Sequence, residues 1–332
     1  MIKIDQHGPI TAIRMSRSLL GRPVYWATAY LVDGLLIDSG PACTAMQLIR
    51  VLGKRPPQQV VVTHSHEDHI GGLAALRMAF PHLHIYANWR SLPQIEDPAR
   101  LGMQLYRRLL WGTPQPFYST EVPDEPMIRT PNYVFHMVET PGHSQDHICL
   151  YEPNQGWLFS GDAFIGGRER AWSPEFNMFG TISSLRTLIA LRPRRLFPGS
   201  GNVRRDPMPV LQGKLMHLTN LCASVADLDA DGLPTEQIIQ RLLGGESTMH
   251  FWTRGHFSAE NLVSACRSYN GLVGSRAGAS RLARRAEADR LGPDHGQRMS
   301  GRAEEFPERF QQGDASDPRD PGDPNDLSNL FR

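Results

Sequence analysis

A short β-branched run and a segment of helical spacing meet in this chain at Thr63-His64-Ser65-His66-Glu67-Asp68-His69, where three imidazoles and the Asp68 carboxylate fall within six positions. The run before it is Val60-Val61-Val62, and residues 70–80 after it carry apolar side chains at roughly helical intervals. The motif therefore occupies a strand-to-helix loop, and any fold of this chain must end a strand where several ligand-type side chains can converge. His64 and His66, two apart, leave an extended segment on the same side, whereas Asp68 and His69 at the helix start have a second direction open to them. Two groups of ligands suggest two metals. Imidazole suits zinc, iron and other borderline ions, and a carboxylate can terminate or bridge, which favours a transition metal over calcium or magnesium. The plainer alternative is a polar helix cap at Asp68 with solvent-facing histidines, and three histidines within six positions argue against it.

Two later loops repeat the pattern of a strand followed by a potential ligand. Thr140-Pro141-Gly142-His143-Ser144 follows a strand-like stretch at 133–138, and Phe159-Ser160-Gly161-Asp162 continues Trp157-Leu158. Gly34-Leu35-Leu36-Ile37-Asp38-Ser39-Gly40 adds an early strand and loop. From about Pro23 to Asn202 the chain resembles the metallo-β-lactamase superfamily, whose signature is a His-x-His-x-Asp-His motif followed by a distant histidine, an aspartate and a final histidine. The resemblance implies an α/β fold, the family's αββα sandwich, with metals at one edge between the two halves. It also implies that His64, His66 and His143 hold one metal, and that Asp68, His69 and Asp162 serve the second, with Asp162 bridging.

The match fails at the last ligand, because Leu196-Phe197-Pro198-Gly199-Ser200-Gly201 has Ser200 where the family has a histidine. A neutral hydroxyl is a poor ligand beside imidazole. The expectation is zinc, two ions per chain with a weakened second site, or iron in its place. His250 and His256 are candidate substitutes for the missing ligand, or ordinary surface and packing residues.

Such a ligand set points to chemistry without a protein nucleophile. A divalent ion lowers the pKa of a bound water to roughly 7, and a pair of ions can share the hydroxide and polarise the electrophile. The expected reaction is attack of that hydroxide on a carbonyl or phosphoryl centre, with Asp68 orienting it or accepting its proton. Ser144 reads as a polar turn residue, and His147 either positions the His143 loop or packs. Hydrolysis of a small ester, thioester or lactone is the leading expectation. The alternatives are a mononuclear iron persulfide dioxygenase, a metal-binding protein with lost or weak catalysis, and a phosphodiesterase.

Composition fits a chain with one large core: 332 residues, 40% hydrophobic, formal net charge +1. Without a basic excess nucleic acid is not an expected partner, which leaves a small-molecule substrate and a possible homo-oligomer. Cys43, Cys149, Cys222 and Cys266 form no Cys-x-x-Cys pair and read as reduced packing residues. No stretch at the start has signal length and no run approaches the roughly 20 apolar residues of a membrane helix, so the expectation is a cytoplasmic chain without membrane association.

Three regions follow from the pattern. Residues 1–205 read as the metal-binding domain, opened by the hairpin signal Asp33-Gly34 and a helix at Ala42 to Leu52. Its two sheets are covered by helices. Residues 88–132 form an insertion with a helix-like 101–111 and a proline-broken 112–118; Trp111, Phe117 and Tyr118 either line the substrate pocket beneath a lid or anchor the insertion to the core. Residues 206–273 read as a helical C-terminal region, with helices near 207–228, 235–243 and 257–269. From 274 to 332 the composition turns to Arg, Ala, Gly, Asp and Pro, as expected of a disordered tail in which Ser280 to Leu291 could be transiently helical.

Overall fold

The computed structural model describes residues 1–290, with side chains described to Ser275. Two sheets lie face to face. The first has six strands in the spatial order Ile2–His7, Ile10–Met15, Ala27–Val32, Leu35–Ile37, Gln59–Val61 and His84–Tyr86. The second has five, in the order Arg195–Pro198, Trp157–Gly161, Ile148–Glu152, Val134–Glu139 and Met127–Arg129.

The period-2 alternation of side chains on these strands divides the apolar residues into three cores. Ala12, Tyr30, Leu35, Ile37 and Val61 point inward and meet Ile148, Leu150, Phe159 and Phe197 between the sheets. Their sequence neighbours Ile13, Ala29, Leu36 and Val60 point the other way, onto Leu48 and Leu52 of the helix Ala45–Leu52 and Leu73 and Leu76 of the helix Leu73–Ala79. On the far side, Cys149, Leu158 and Leu196 pack against Ile182 and Leu185 of Met178–Ala190, Leu218 and Val225 of Met208–Ala230, and Leu262 of Ala259–Arg290. Helix, sheet, sheet, helix is the αββα sandwich, and burying a strand on both faces is why Val60-Val61-Val62 is apolar without alternation.

The hairpin at Asp33-Gly34 has both residues at positive φ, 50° and 81°, the geometry that matches the twist of the flanking strands. The helix Thr235–Leu243 begins and ends where the pattern placed it, closed by Gly244 at φ 69°. The final helix differs. It runs unbroken from Ala259 to Arg290, past the composition change at Gly274 and well beyond Tyr269, because Arg and Ala are strong helix formers once a packed turn has nucleated them. Residues 291–332 of the expected tail lie outside the described residues.

The insertion contains the helices Leu92–Glu96 and Leu105–Trp111 and ends in Met127–Arg129, which is an edge strand of the second sheet. It is bound to the first sheet as well, through Glu121 N donating to Ile85 O at 2.7 Å and Ala87 N to Glu121 O at 3.1 Å. The segment from Glu67 onward sits tightly on the loop after Ile37. A Cβ at Gly71 would collide with Ala42 N, and one at Gly72 would collide with Ser39 O. Only glycines let the motif's helix approach that closely. Among the described residues, no helix is long and apolar enough to cross a membrane.

Candidate metal centre

The six ligand-type residues converge where the carboxyl ends of Gln59–Val61 and Trp157–Gly161 meet the loop after Val134–Glu139. His64, His66 and His143 bring one ring nitrogen each within 4.8 Å of one another, and His64, His69 and an Asp162 oxygen form a second such group. His143 Nε2 is 2.9 Å from His66 Nδ1. Asp162 spans the two groups: Oδ1 lies 3.6 Å from His69 Nε2 and Oδ2 lies 3.5 Å from His143 Nε2. Asp68 reaches the second group through His69, Oδ2 to Nε2 at 3.8 Å.

The rings of His64 and His69 are oriented from behind. Asp38, at φ 64° just past the strand Leu35–Ile37, turns its carboxylate under the motif. It accepts from Thr63 N at 2.8 Å, from Thr63 Oγ1 at 2.9 Å and from His69 Nδ1 at 2.8 Å. Thr63 Oγ1 also lies 3.1 Å from His64 Nδ1. With Nδ1 engaged on both rings, Nε2 of His64 and of His69 faces the cluster, and both atoms, with Asp162 Oδ1, are buried without a hydrogen-bond partner. Buried polar atoms are costly to leave unpaired, and three aimed at one point fit a cation. His147 lies behind Asp162, accepting from its N–H at 3.1 Å while its Nδ1 meets Thr140 Oγ1 at 2.8 Å. Asp146 accepts from Ser65 N at 2.8 Å and Ser91 Oγ at 2.6 Å, tying the motif to the His143 loop and the insertion.

The electrostatics suit the same donor set. Burial, reinforced by neighbouring imidazoles, holds His64 and His66 well below the ordinary histidine range, and burial lowers His143 to about 4. Neutral imidazole is the form that binds metal. Burial would also lower His69, but Asp38, Asp68 and Asp162 outweigh it and hold it well above its ordinary value. Burial raises Asp68 to about 7, whereas for Asp162 the charge of the imidazoles around it, His69 foremost, overcomes burial and lowers the carboxyl. Three carboxylates around one imidazole carry more negative charge than that ring can balance, which leaves room for a cation.

Ser200 is buried beside this centre, 3.3 Å from the Tyr25 hydroxyl. The loop it occupies presses on the ligands, since a Cβ at Gly199 would lie 2.5 Å from Asp162 Oδ1. His250 is turned outward and meets Glu246 at 3.6 Å. His256 comes to the cavity wall, but its Nδ1 meets Tyr106 Oη at 2.8 Å and its Nε2 meets Ser173 Oγ at 3.4 Å. It belongs to neither ligand group among the described residues.

The centre lies at the floor of a cavity of about 250 Å³, walled by Tyr25, Tyr106, Trp111, Phe176, Met249 and His256 among others. Trp111 is therefore on the wall, its ring 5.2 Å from Tyr25. The other two insertion aromatics need correction as pocket residues. Phe117 packs into the core beneath the first sheet's helices with Arg77 over its ring at 5.8 Å, and Tyr118 is 74% exposed; neither lines the cavity, because alternation along an extended segment sends adjacent side chains in and out.

Glu67 and Arg107 carry no ligand role and went unnoticed in the sequence. Arg107 donates from Nε and Nη2 to Glu67 Oε1 and Oε2 at 2.7 and 2.5 Å, both side chains buried, and so pins the helix Leu105–Trp111 to the motif. A buried-type Glu inside a histidine motif was the available hint. Tyr25 and Tyr106 offered none.

A family model described as the metallo-beta-lactamase superfamily matches residues 27–200. The chain belongs to that superfamily. Among curated relatives it is 26% identical over 197 residues to a beta-lactamase-like protein 2 homolog from Drosophila melanogaster, covering 55% of this chain and 60% of that one. It is 31% identical over 157 residues to a hydroxyacylglutathione hydrolase from Enterobacter sp. (strain 638), covering 46% and 52%. The chain thus spans between half and three fifths of the length of these relatives. A metallo-beta-lactamase family protein from Thermus thermophilus superposes with a TM-score of 0.56 at 17% identity, over 79% of this chain and 94% of that one. A metallo-beta-lactamase from Pontibacter korlensis gives 0.53 at 16%, over 66% and 100%. These two establish the superfamily's fold in this chain, including the mixed sheets and flanking helices.

Proposed function

We propose that this chain is a metal-dependent hydrolase acting on a small thioester, ester or lactone, with thioesters first. The observation that carries this reading is Asp162, which turns one carboxyl oxygen toward each of two converging donor groups at the floor of an apolar cavity. His64, His66 and His143 would hold one ion, and His69, Asp162 and Asp68 a second, with zinc as the expected metal. When bound, such ions acidify a water to near neutrality and polarise the electrophile. Asp68 stands beside His69 on the cavity side, where its carboxylate would help hold the second ion and orient the attacking water. Leu110, Trp111 and Phe176 exclude water around the acyl group.

A larger recess of about 690 Å³ continues past His143 and Phe176 toward the loop bearing Arg168 and Arg170. That is room for a polar, anionic leaving thiol. The hydroxyacylglutathione hydrolase named among the relatives supports placing a thioester ahead of an ester or lactone.

The test pairs elemental analysis of protein purified without added metal with a thiol-release screen of acyl-glutathione thioesters, followed by esters and lactones. Expected are about two zinc ions per chain and thioester turnover that falls when they are chelated. One iron per chain with oxygen uptake on glutathione persulfide would replace this reading by the dioxygenase, consistent with Ser200 in the last ligand position.

A further inference from the structure

Three segments frame the mouth of the cavity: 16–25, which contains the small hairpin Ser18–Leu19 and Arg22–Pro23, the helix Leu105–Trp111, and 248–256 around the helix Thr248–Thr253. They touch one another. Arg17 Nε donates to Leu110 O at 3.2 Å, Tyr25 packs on Trp111, and Tyr106 meets His256. Tyr25, Leu110, Trp111, Met249 and His256 all face the cavity, so the outer sides of these segments form its rim.

The rim has an unusual makeup. In a chain with 34 Asp and Glu, none falls in the three segments. Arg17, Arg22, Arg108 and Arg254 are exposed there, and among the described residues none of the four makes an ion pair. The carboxylates near the cavity are already engaged: Glu67 is buried against Arg107, and Glu175, which is exposed, lies between Arg107 and His256. Glu246, just upstream of the third segment, is held by His250 and by Ala259 N–H.

Large apolar side chains project between the arginines. Leu20 is 97% exposed, Phe251 76%, Leu105 68% and Leu109 63%. Leu20 is the most telling. With Gly21 it forms a two-residue turn in which both have positive φ, 49° and 81°, a geometry that Asn-Gly fills most easily. Leucine gains nothing there from the backbone and nothing from water. A strained, exposed apolar tip makes physical sense when something apolar receives it.

We propose that this rim docks the protein on an anionic lipid surface, with Leu20 and Phe251 entering the headgroup boundary and the arginines meeting lipid phosphates. Exposed apolar tips ringed by unpaired cations, with no anion among them, are the makeup of an interfacial binding face. A second copy of this chain fits less well, since a two-fold pairing would set the same arginines against each other. The cavity would then open toward the lipid, and an amphiphilic substrate could enter without crossing water. The sequence argued against membrane association from the lack of a long apolar run, a criterion blind to a surface that the fold assembles from separate segments.

The test is flotation of the full chain with phosphatidylcholine vesicles, with and without phosphatidylglycerol, at low and physiological salt. Co-flotation with the phosphatidylglycerol vesicles, weakened by salt and nearly absent on phosphatidylcholine alone, is expected. Removing each of Arg22 and Arg108 by glutamine should weaken partition about fivefold. Leu20→Asn, which suits the turn better than the native residue, should lose binding while keeping metal content and melting temperature. Absence of flotation at low salt, or full binding by both Leu20→Asn and Phe251→Ser, would overturn the proposal. So would a concentration-dependent dimer abolished by Leu20→Asn, which would give the rim to a second copy. Partition is read independently of turnover, so the outcome stands apart from the hydrolase reading.

Discussion

On the cavity floor, Asp38 accepts hydrogen bonds at 2.8 and 2.9 Å and the rings of His64, His69 and His147 each have an orienting partner, whereas on the rim Leu20 and Phe251 project into solvent and four arginines lack carboxylate partners among the described residues. The floor is made by strand ends, which bring side chains from distant parts of the chain to one point and hold them by backbone ladders. The rim is made by an insertion, a hairpin and a C-terminal helix, joined by a few side-chain contacts. Rigidity at the floor suits donors that must meet one ion at fixed distance, and looser elements suit contact with a substrate or surface of variable shape.

Breaking the floor should have the largest effect. Asp162→Asn removes a donor shared by both groups and should lower turnover by more than about 100-fold, since outer partners alone cost about 10–100-fold. Turnover and metal content measured together would check it, and a fully active Asp162→Asn protein would leave the two-group reading without support.

The joint between the regions is the next target. Arg107→Leu strands the Glu67 carboxylate in the interior and should destabilise the fold by about 3–5 kcal/mol, read by urea unfolding. Adding Glu67→Gln should restore part of it, because the stranded charge is then gone. No loss in Arg107→Leu would mean that the insertion is held by its strand contacts instead.

Asp38→Asn tests how strongly the floor depends on its orienting partner. Metal affinity should fall about 10–100-fold, measured by competition with a chromogenic chelator, while the rim's vesicle binding stays as it was.

A smaller effect should appear with pH in the metal-free protein. His64 and His66 sit well below 6.5 in the fold, with His143 at about 4 and His147 at about 3. As pH drops below about 6.5 the unfolded chain takes up these protons first, so stability should fall toward pH 4. His69, raised in the fold, contributes stability that is complete below about 6.5 and changes nothing further. Asp68, at about 7, gains stability on acidification in the same window, one group against four histidines. Thermal melts of stripped protein across this range should show a net decline that metal suppresses.

The smallest effect belongs to the insertion's outer face. Tyr118→Ala should leave turnover and melting temperature unchanged within error, while Phe117→Ala, one residue away in the core, should cost about 3–5 kcal/mol.

The sandwich was legible because its information is local. The β-branched run 60–62, the turn at Asp33-Gly34 and the strand-like stretches before His143 and Asp162 each dictate a nearby geometry, while the first two strands, Ile2–His7 and Ile10–Met15, and the close approach at Gly71 and Gly72 emerged only in the fold. The candidate ligands were legible because histidine and aspartate at strand ends carry their chemistry in their identity. The end of the last helix was not, because helix propensity carried Ala259–Arg290 past a change in composition that looked like a boundary.

By itself, then, the sequence determined most of the strands and the residues able to hold a metal, since periodicity and donor chemistry are written in adjacent positions. Only the tertiary structure decided which nitrogens were left unpaired, that Glu67 and Arg107 would meet across 40 residues, that Tyr25 would stand over Ser200, and that scattered arginines and leucines would share one rim. Those are distances between segments remote in the chain, and they depend on how the layers pack.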